Sequence, residues 1–349
     1  MNRLRMAVVG AGRAGLIHGA NIARRIPRAE LVAVCDPNPA SLASAAAELG
    51  CSRTHADARA ACDDAAIDAV VIVTPTFLHA EIARAAAAAG KHVFLEKPMA
   101  VTVAECRAIE EACGSAGVRL QIGFMRRFDE GFRRAKAVLD SGDLGRVMIV
   151  KSTGRGPGGP GPWMWDLKQS NGIVAEVNSH DLDSIHWFTG ANVRHVYAEA
   201  HNFKMPEARD RFPDFYVNVV ATLLLDDDTI AVLDGTCPAH YGYDARVEIL
   251  CEKGVLFVGS ARRHGCEWIT VESGLHGDAV ASWRTLFRDA YLAEMESFVD
   301  AVLDDRPTEV TGADGRWAVE AVVAINESLR TGRPTPVGGA CAGSGGVPA

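Results

Sequence analysis

The tightest constraint on this chain is a glycine triplet in a fixed setting: Val8-Val9-Gly10-Ala11-Gly12-Arg13-Ala14-Gly15 closes one short apolar run and opens one helical stretch. In that setting Gly10 permits a tight turn, Gly12 lets backbone approach a diphosphate, and Gly15 lets helix and strand pack closely. Arg13 and Ala14 fall in the first turn of a helix whose N-terminus favours negative charge. A second element strengthens the reading. Asp36 ends the next strand, about 20 residues on, where a carboxylate accepts bonds from a ribose diol. Asp36 also suits a turn before Pro37, and the two roles are compatible. A carboxylate repels a 2′-phosphate, and Pro37 and Asn38 supply no cation, so NAD is expected rather than NADP.

The rest of the first third keeps the same rhythm. Strands are expected at Met6–Val9, Leu31–Cys35, Ala69–Val73, His92–Leu95 and Arg119–Ile122. Helices are expected between them, from Gly15 to Arg25 and over Asn38–Leu49, Ala80–Ala89 and Val103–Ala116. Ala69–Val73 is apolar throughout, as a central parallel strand covered on both faces must be. The expected fold is a doubly wound parallel sheet, a Rossmann domain over residues 1–123. Thr74-Pro75-Thr76 falls at a strand's C-terminal end, where such sheets bind ligands, and is placed beside the nicotinamide ribose. His79 either joins that site or simply starts the next helix.

Past Gly123 the pattern changes to a helix at Phe132–Asp140 and then a run of strands. These are Arg146–Ser152, Val193–Ala200, Tyr216–Leu225, Thr229–Cys237, Asp244–Cys251 and Gly254–Val258. They predict a second, α+β domain over 124–337 with a large, mainly antiparallel open sheet for substrate binding and oligomerisation. Residues 338–349 are glycine-rich and expected to be a disordered tail. Val217–Leu225 and Ala245–Cys251 carry apolar residues toward both faces, and one face has no evident cover within the chain. A homo-oligomer is therefore expected.

Composition narrows the class further. A net charge of -8 gives no footprint for nucleic acid or acidic lipid, and no apolar run is long enough to span a membrane. Arg3 and Arg5 lead straight into a strand rather than a signal-peptide core. The nine cysteines show no C-x-x-C spacing and read as small core residues of a cytoplasmic protein, with no metal site.

Oxidising an alcohol needs a group that takes the hydroxyl proton. Glu96-Lys97-Pro98 follows the strand His92–Leu95, so Lys97 sits where a cation can hold an alkoxide-like oxygen. Taken alone, a loop lysine is ordinary solvated surface.

Four motifs in order change that: Gly10-x-Gly12-x-x-Gly15, Glu96-Lys97-Pro98, Gly123-Phe124-Met125-Arg126-Arg127-Phe128-Asp129, and His180-Asp181-Leu182-Asp183. Together they resemble the glucose–fructose oxidoreductase and inositol dehydrogenase (Gfo/Idh/MocA) family. The likeness runs from about Arg5 to Val337. Tyr241-Gly242-Tyr243-Asp244 and the Met-Arg-Arg-Phe-Asp stretch point to the inositol dehydrogenase branch. The resemblance implies an NAD-dependent oxidation of a ring hydroxyl on a cyclitol or sugar, and a tetramer. It implies that Lys97 holds the reacting hydroxyl and that His180 is the general acid/base. An unperturbed imidazole titrates near neutral pH, so the rise of rate with pH is assigned to His180. Glu96 is placed at the cofactor, and Met125, Arg126, Arg127, Asn178 and Tyr241 at the substrate. Asp183 would orient the His180 ring or cap its helix.

Two departures stand out. The family's inositol dehydrogenases resemble Asp-x-x-x-His, whereas here Glu176 stands one helical turn before His180. The loop Gly154–Asp166 is rich in glycine and proline and leads into Trp163-Met164-Trp165-Asp166. It is expected to roof the pocket, with Trp163, Trp165 and Asp166 at the substrate or the tryptophans serving as loop anchors. Two other functions fit the family: glycoside hydrolysis through transient oxidation, and NAD sensing without catalysis. The presence of both Lys97 and His180 weighs against the second.

Overall fold

Why the chain begins as a Rossmann unit is visible in burial. The computed structural model describes residues 3–337, so the expected tail at 338–349 lies outside the described residues. Six strands form one parallel sheet: β1 (Leu4–Val9), β2 (Ala29–Cys35), β3 (Thr54–His55), β4 (Ala69–Ile72), β5 (His92–Glu96) and β6 (Leu120–Gly123). Their order is β3-β2-β1-β4-β5-β6, so the winding reverses between β1 and β4. Every residue of β4 is buried, as its uninterrupted apolar run requires. Helices α1 (Arg13–Arg24), α2 (Pro39–Leu49), α3 (Ala58–Asp63), α4 (His79–Ala88) and α5 (Val103–Ala116) connect the strands. Local chemistry sets their ends. Asn38 caps α2 by accepting from the Ala40 and Ser41 N–H groups, and Thr102 with Glu105 forms a capping box on α5.

The second half carries α6 (Glu130–Asp140), β7 (Val147–Arg155), α7 (Leu167–Ser170), α8 (Gly172–Glu176) and α9 (Ser179–Thr189). Next come β8 (Val193–His201), α10 (Pro206–Arg209), β9 (Asn218–Leu225), β10 (Ile230–Thr236), β11 (Asp244–Cys251) and β12 (Gly254–Val258). The chain closes with β13 (Arg262–Thr270), β14 (Gly274–Ala279), α11 (Trp283–Leu286), α12 (Arg288–Leu303), α13 (Gly312–Thr331) and β15 (Thr335–Pro336). Seven strands form a mixed sheet in the order β12-β11-β7-β10-β9-β8-β15, antiparallel except for β7 beside β10. The expected α/β-plus-α+β class is what the structure has.

Three features had no counterpart in the sequence reading. The short β3 and α3 offer too few residues for a period to register. The β13–β14 hairpin forms its own two-stranded sheet and is solvent-exposed along nearly its whole length, so it lacks the alternation that marks a half-buried strand. Lastly, α12 returns to the first sheet, where Met295, Phe298 and Val299 pack with Met6, Val8, Ile22 and Phe94.

Two strand glycines position the site. Gly154 on β7 pairs with Gly235 on β10, and a methyl group on either would collide with Asp181 or Asn178. Their bareness lets the start of α9 settle onto the sheet, where Asn178 donates to the Gly154 carbonyl at 3.0 Å. This contact fixes where His180 stands.

Candidate active site

The glycine turn has the geometry of an anion cradle. Gly10 has φ of 110°, and a Cβ there would lie 2.5 Å from the Val73 carbonyl oxygen. A Cβ on Gly15 would lie 1.9 Å from the Gly10 oxygen, so both positions exclude a side chain. Above Gly12 the space is open, with nothing within 4 Å of an added Cβ. Helix α1 starts there with no side-chain cap and no acid in its first turn, leaving its N–H groups for a ligand. Asp36 stands half-buried beside the turn; its carboxylate accepts the Ala11 N–H at 2.8 Å and the Asn38 N–H at 2.9 Å. These residues fit the diphosphate and ribose of NAD.

Beside the cradle, at the C-terminal ends of the strands, lies a cavity of about 680 Å³. That volume is in the range of small-molecule sites. Its lining includes Arg13, Ala14, Thr74, Glu96 and Lys97 from the first domain and Met125, Trp163, Glu176 and His180 from the second. The Lys97 ammonium donates to the Glu176 main-chain carbonyl at 2.7 Å. The Thr76 hydroxyl donates to the Glu176 carboxyl at 2.6 Å. Burial pushes the Glu176 carboxyl up to about 7, with Lys97 and Thr76 pulling the other way. Burial, then Lys97 and Arg126, hold the His180 imidazole well below its ordinary value, so it is neutral at working pH. Its ring meets Phe124 edge-on, with centroids 5.9 Å apart. Glu176 ends α8 and His180 lies in α9, so they converge across a break at Val177–Asn178 rather than along one continuous helix.

Comparison with known proteins agrees with this geometry. Residues 4–124 match the family model described as an oxidoreductase family with an NAD-binding Rossmann fold, Gfo/Idh/MocA. Residues 132–257 match the C-terminal domain of the same family. The chain belongs to the Gfo/Idh/MocA family. It is an NAD-dependent oxidoreductase. Similar proteins include the scyllo-inositol 2-dehydrogenase (NAD(+)) of Bacillus subtilis, 32% identical over 95% of this chain and 96% of that protein. The myo-inositol 2-dehydrogenase of Thermotoga maritima is 31% identical, over 95% of this chain and 97% of the relative. Among solved structures, scyllo-inositol dehydrogenase from Lactobacillus casei with bound NAD(H) and scyllo-inositol superposes with a TM-score of 0.87 at 28% identity. That match covers 96% of this chain and 99% of the other.

Several residues expected at the substrate in this Gfo/Idh/MocA member stand elsewhere, each for an electrostatic or packing reason. Arg126 is buried and donates to Asp181 at 2.7 Å. Arg127 holds Asp183 through contacts of 2.6 to 3.1 Å and also Asp314 at 2.8 Å. Asp183 therefore neither orients His180 nor caps its helix. The Asn178 amide nitrogen is spent on Gly154 and Asp181. Trp165 donates its indole N–H to the Pro160 carbonyl at 3.1 Å and packs on Phe212 and Phe215, while Asp166 caps α7. Trp165 is thus a loop anchor, whereas Trp163 lines the cavity.

Tyr241 is half exposed on another surface, bonded to Asp244 at 2.7 Å; two residues on, Tyr243 lines the cavity instead. His79 is buried and bridges the Thr74 and Pro98 carbonyls at 2.9 and 2.8 Å, tying two cavity loops together. Of Thr74-Pro75-Thr76, only Thr74 lines the cavity; Thr76 touches the site through its bond to Glu176, and Pro75 does neither. Cys237, Tyr291 and the segment Ser282-Trp283-Arg284 line the cavity and were not anticipated. None of these carried a motif signal, whereas Tyr243 could have been found from its pairing with Tyr241. The eight cysteines among the described residues are all free thiols, seven of them buried. No helix among the described residues is long and apolar enough to cross a membrane.

Proposed function

We propose that this enzyme reversibly oxidises a secondary hydroxyl on a cyclitol or sugar ring to a ketone. The observation that carries the reading is the convergence of Lys97, Glu176 and His180 on one cavity beside the open helix start at Gly12. The dehydrogenases named above as similar, acting on inositols, support the same substrate class.

Bound NAD supplies the acceptor for the hydride that leaves the carbinol carbon. Arg13, Ala14 and the start of α1 take the diphosphate, Asp36 the adenosine ribose, and Thr74 the nicotinamide side. Lys97 holds the reacting oxygen and stabilises negative charge as the proton departs. Neutral His180 receives that proton. Glu176, held by Thr76, takes up or passes on charge near neutral pH. Trp163 lies against the apolar face of the ring.

A panel of inositols, amino-inositols and hexoses with NAD, followed by NADH absorbance, tests the assignment. Turnover on at least one cyclitol or sugar is expected. A silent panel overturns the assignment, and release of the aglycone from an added aryl glycoside without net NADH points to the hydrolytic alternative. In the oligomer we infer, the outer face of the second sheet meets a partner copy.

A further inference from the structure

Behind Lys97, three titratable groups from distant parts of the chain meet, of which only Glu96 also lines the cavity. His18 comes from α1, Glu96 from the end of β5 and Glu294 from α12, all of them buried. One side-chain atom from each lies within 4.8 Å of the others. Glu96 is held at both oxygens: one meets His18 Nε2 at 2.7 Å, and the other accepts the main-chain N–H of Lys97 at 3.1 Å. Gly123 on the next strand leaves it room, since a Cβ there would sit 3.0 Å from the Glu96 carboxyl. Glu294 has no hydrogen-bond partner for either oxygen.

We propose that His18 and Glu294 are positioning residues for Lys97, acting through Glu96. The proposal rests on the reading of Lys97 as the group that holds the substrate oxygen. An acid wholly out of water beside a second carboxyl does not stay ionised. Burial and Glu96 push Glu294 far above the usual carboxylate range, so it is a neutral acid. Burial opposes charge on Glu96 too, yet His18 and Lys97 outweigh it and hold that group low. The pair divides its labour: one fixed anion next to Lys97, and one neutral acid filling the space behind. The other groups facing Lys97 are Glu176 from α8, which changes charge near pH 7, neutral His180 from α9, and the Cys237 thiol, pushed up to about 11. Tyr291 of α12 completes the wall, its ring 5.5 Å from that of His18. Glu96 is thus the one acid whose charge stays constant beside Lys97 while Glu176 titrates.

The test uses the full-length enzyme saturated with NAD. His18→Leu and Glu294→Ala should lower kcat by about tenfold or more while leaving KM for the polyol within about threefold. In both, the pH profile of kcat should differ from that of the native enzyme, because the carboxylate behind Lys97 is no longer held in place. Glu294→Gln, neutral and of the same length, should recover most of the loss. A folding-independent check is the infrared carbonyl stretch of a protonated carboxylic acid in the native enzyme at pH 9, absent from Glu294→Gln. Lower melting temperatures with an unmoved pH profile would make the cluster merely structural and overturn the proposal. So would failure of Glu294→Gln to recover activity, or a stoichiometric metal lost in Glu294→Ala. If Lys97→Met itself keeps full rate, the failure lies in the underlying reading of Lys97.

Discussion

Lys97 and Glu176 meet through unlike parts: the lysine ammonium donates to the glutamate's main-chain carbonyl at 2.7 Å, while the glutamate carboxyl turns away to Thr76. The lysine is held by an acceptor that does not titrate. The carboxyl is left buried and is pushed up to about 7. His180 is neutral well below that pH. We therefore expect the rise of oxidation rate with pH to follow Glu176 rather than His180, to which an unperturbed imidazole would assign it.

The rate of alcohol oxidation should rise with a midpoint near pH 7, and Glu176→Gln should flatten that limb. His180→Asn should lower the rate by about 10²–10⁴ but keep the limb. Stability gives a second readout with a definite sign. A carboxyl whose folded value is raised from 4.5 to about 7 stabilises the fold below pH 4.5, and this is lost as pH climbs through 7. The swing is of order 3 kcal/mol. Relative to the native enzyme, Glu176→Gln should therefore gain melting temperature at pH 8.5 more than at pH 5, by calorimetry at both. A His180→Asn variant whose limb disappears would return the titration to the imidazole.

Lys97→Met keeps much of the side-chain volume and removes the cation. The rate should fall by about 10²–10⁴, the range for a lost oxyanion-type contact or proton carrier. Binding of NAD, read by fluorescence titration, should change by less than about threefold, because the diphosphate cradle at Gly12 does not involve this side chain. Full turnover in this variant would remove the catalytic assignment.

What the sequence made legible follows from what is local. The glycine spacing, Asp36 and Lys97 are read within one strand–turn–helix unit, and the structure puts them at one crevice. The charged residues taken for substrate contacts were not legible. Arg127 finds its acids 56 and 187 positions away, and no local spacing reports such a partner. Arg126 and Asp181 are likewise a buried pair that only the fold assembles. Tyr241 and Tyr243 differ by two positions at the entry to β11, and burial rather than type separates them: Tyr243 is buried and Tyr241 is not. Trp283 and Arg284 reach the cavity from the short segment before α12, which carries no motif at all.

Cofactor choice should rest on Asp36, whose carboxylate is already oriented by the Ala11 and Asn38 N–H groups. Asp36→Ala with a cation nearby should raise the NADP-to-NAD ratio of kcat/KM at least about tenfold, roughly the worth of removing one like-charge contact. The cation belongs at exposed Pro37 rather than Asn38. Asn38 caps α2, and losing a cap costs about 1 kcal/mol. A native enzyme that already prefers NADP would contradict the role given to Asp36.

Assembly should depend on the outer face of the second sheet. Val220, Ile230, Leu250, Val255 and Phe257 are exposed there, beside the Lys151–Glu248 ion pair. Phe257 is 73% exposed, more than an isolated fold usually leaves an aromatic ring. Phe257→Glu with Val220→Lys should shift light-scattering mass at micromolar concentration from a closed oligomer, expected to be a tetramer, toward smaller species. Melting of the first domain should be little changed. A native chain that is already monomeric under these conditions would remove the interface.

Substrate choice is the last expectation and turns on one methylene. The longer side chain of Glu176 brings its carboxyl to 2.6 Å from the Thr76 hydroxyl while its main-chain carbonyl stays on Lys97. Glu176→Asp, the length resembling the family's inositol dehydrogenases, draws the carboxyl back by about a bond length, enough to matter in a site held to fractions of an ångström. The Thr76 bond should be lost and space should open beside His180 and Lys97. If carboxyl length sets specificity, the variant should gain on myo-inositol relative to the best substrate of the native enzyme, by about tenfold in the ratio of kcat/KM, as one misfitted methylene is worth 1–3 kcal/mol. The pH limb should also move above 7, since the carboxyl loses the Thr76 bond that pulls its value down. Should the substrate ratio stay fixed while the limb moves, Glu176 tunes charge alone, and Trp163 becomes the first place to look for specificity.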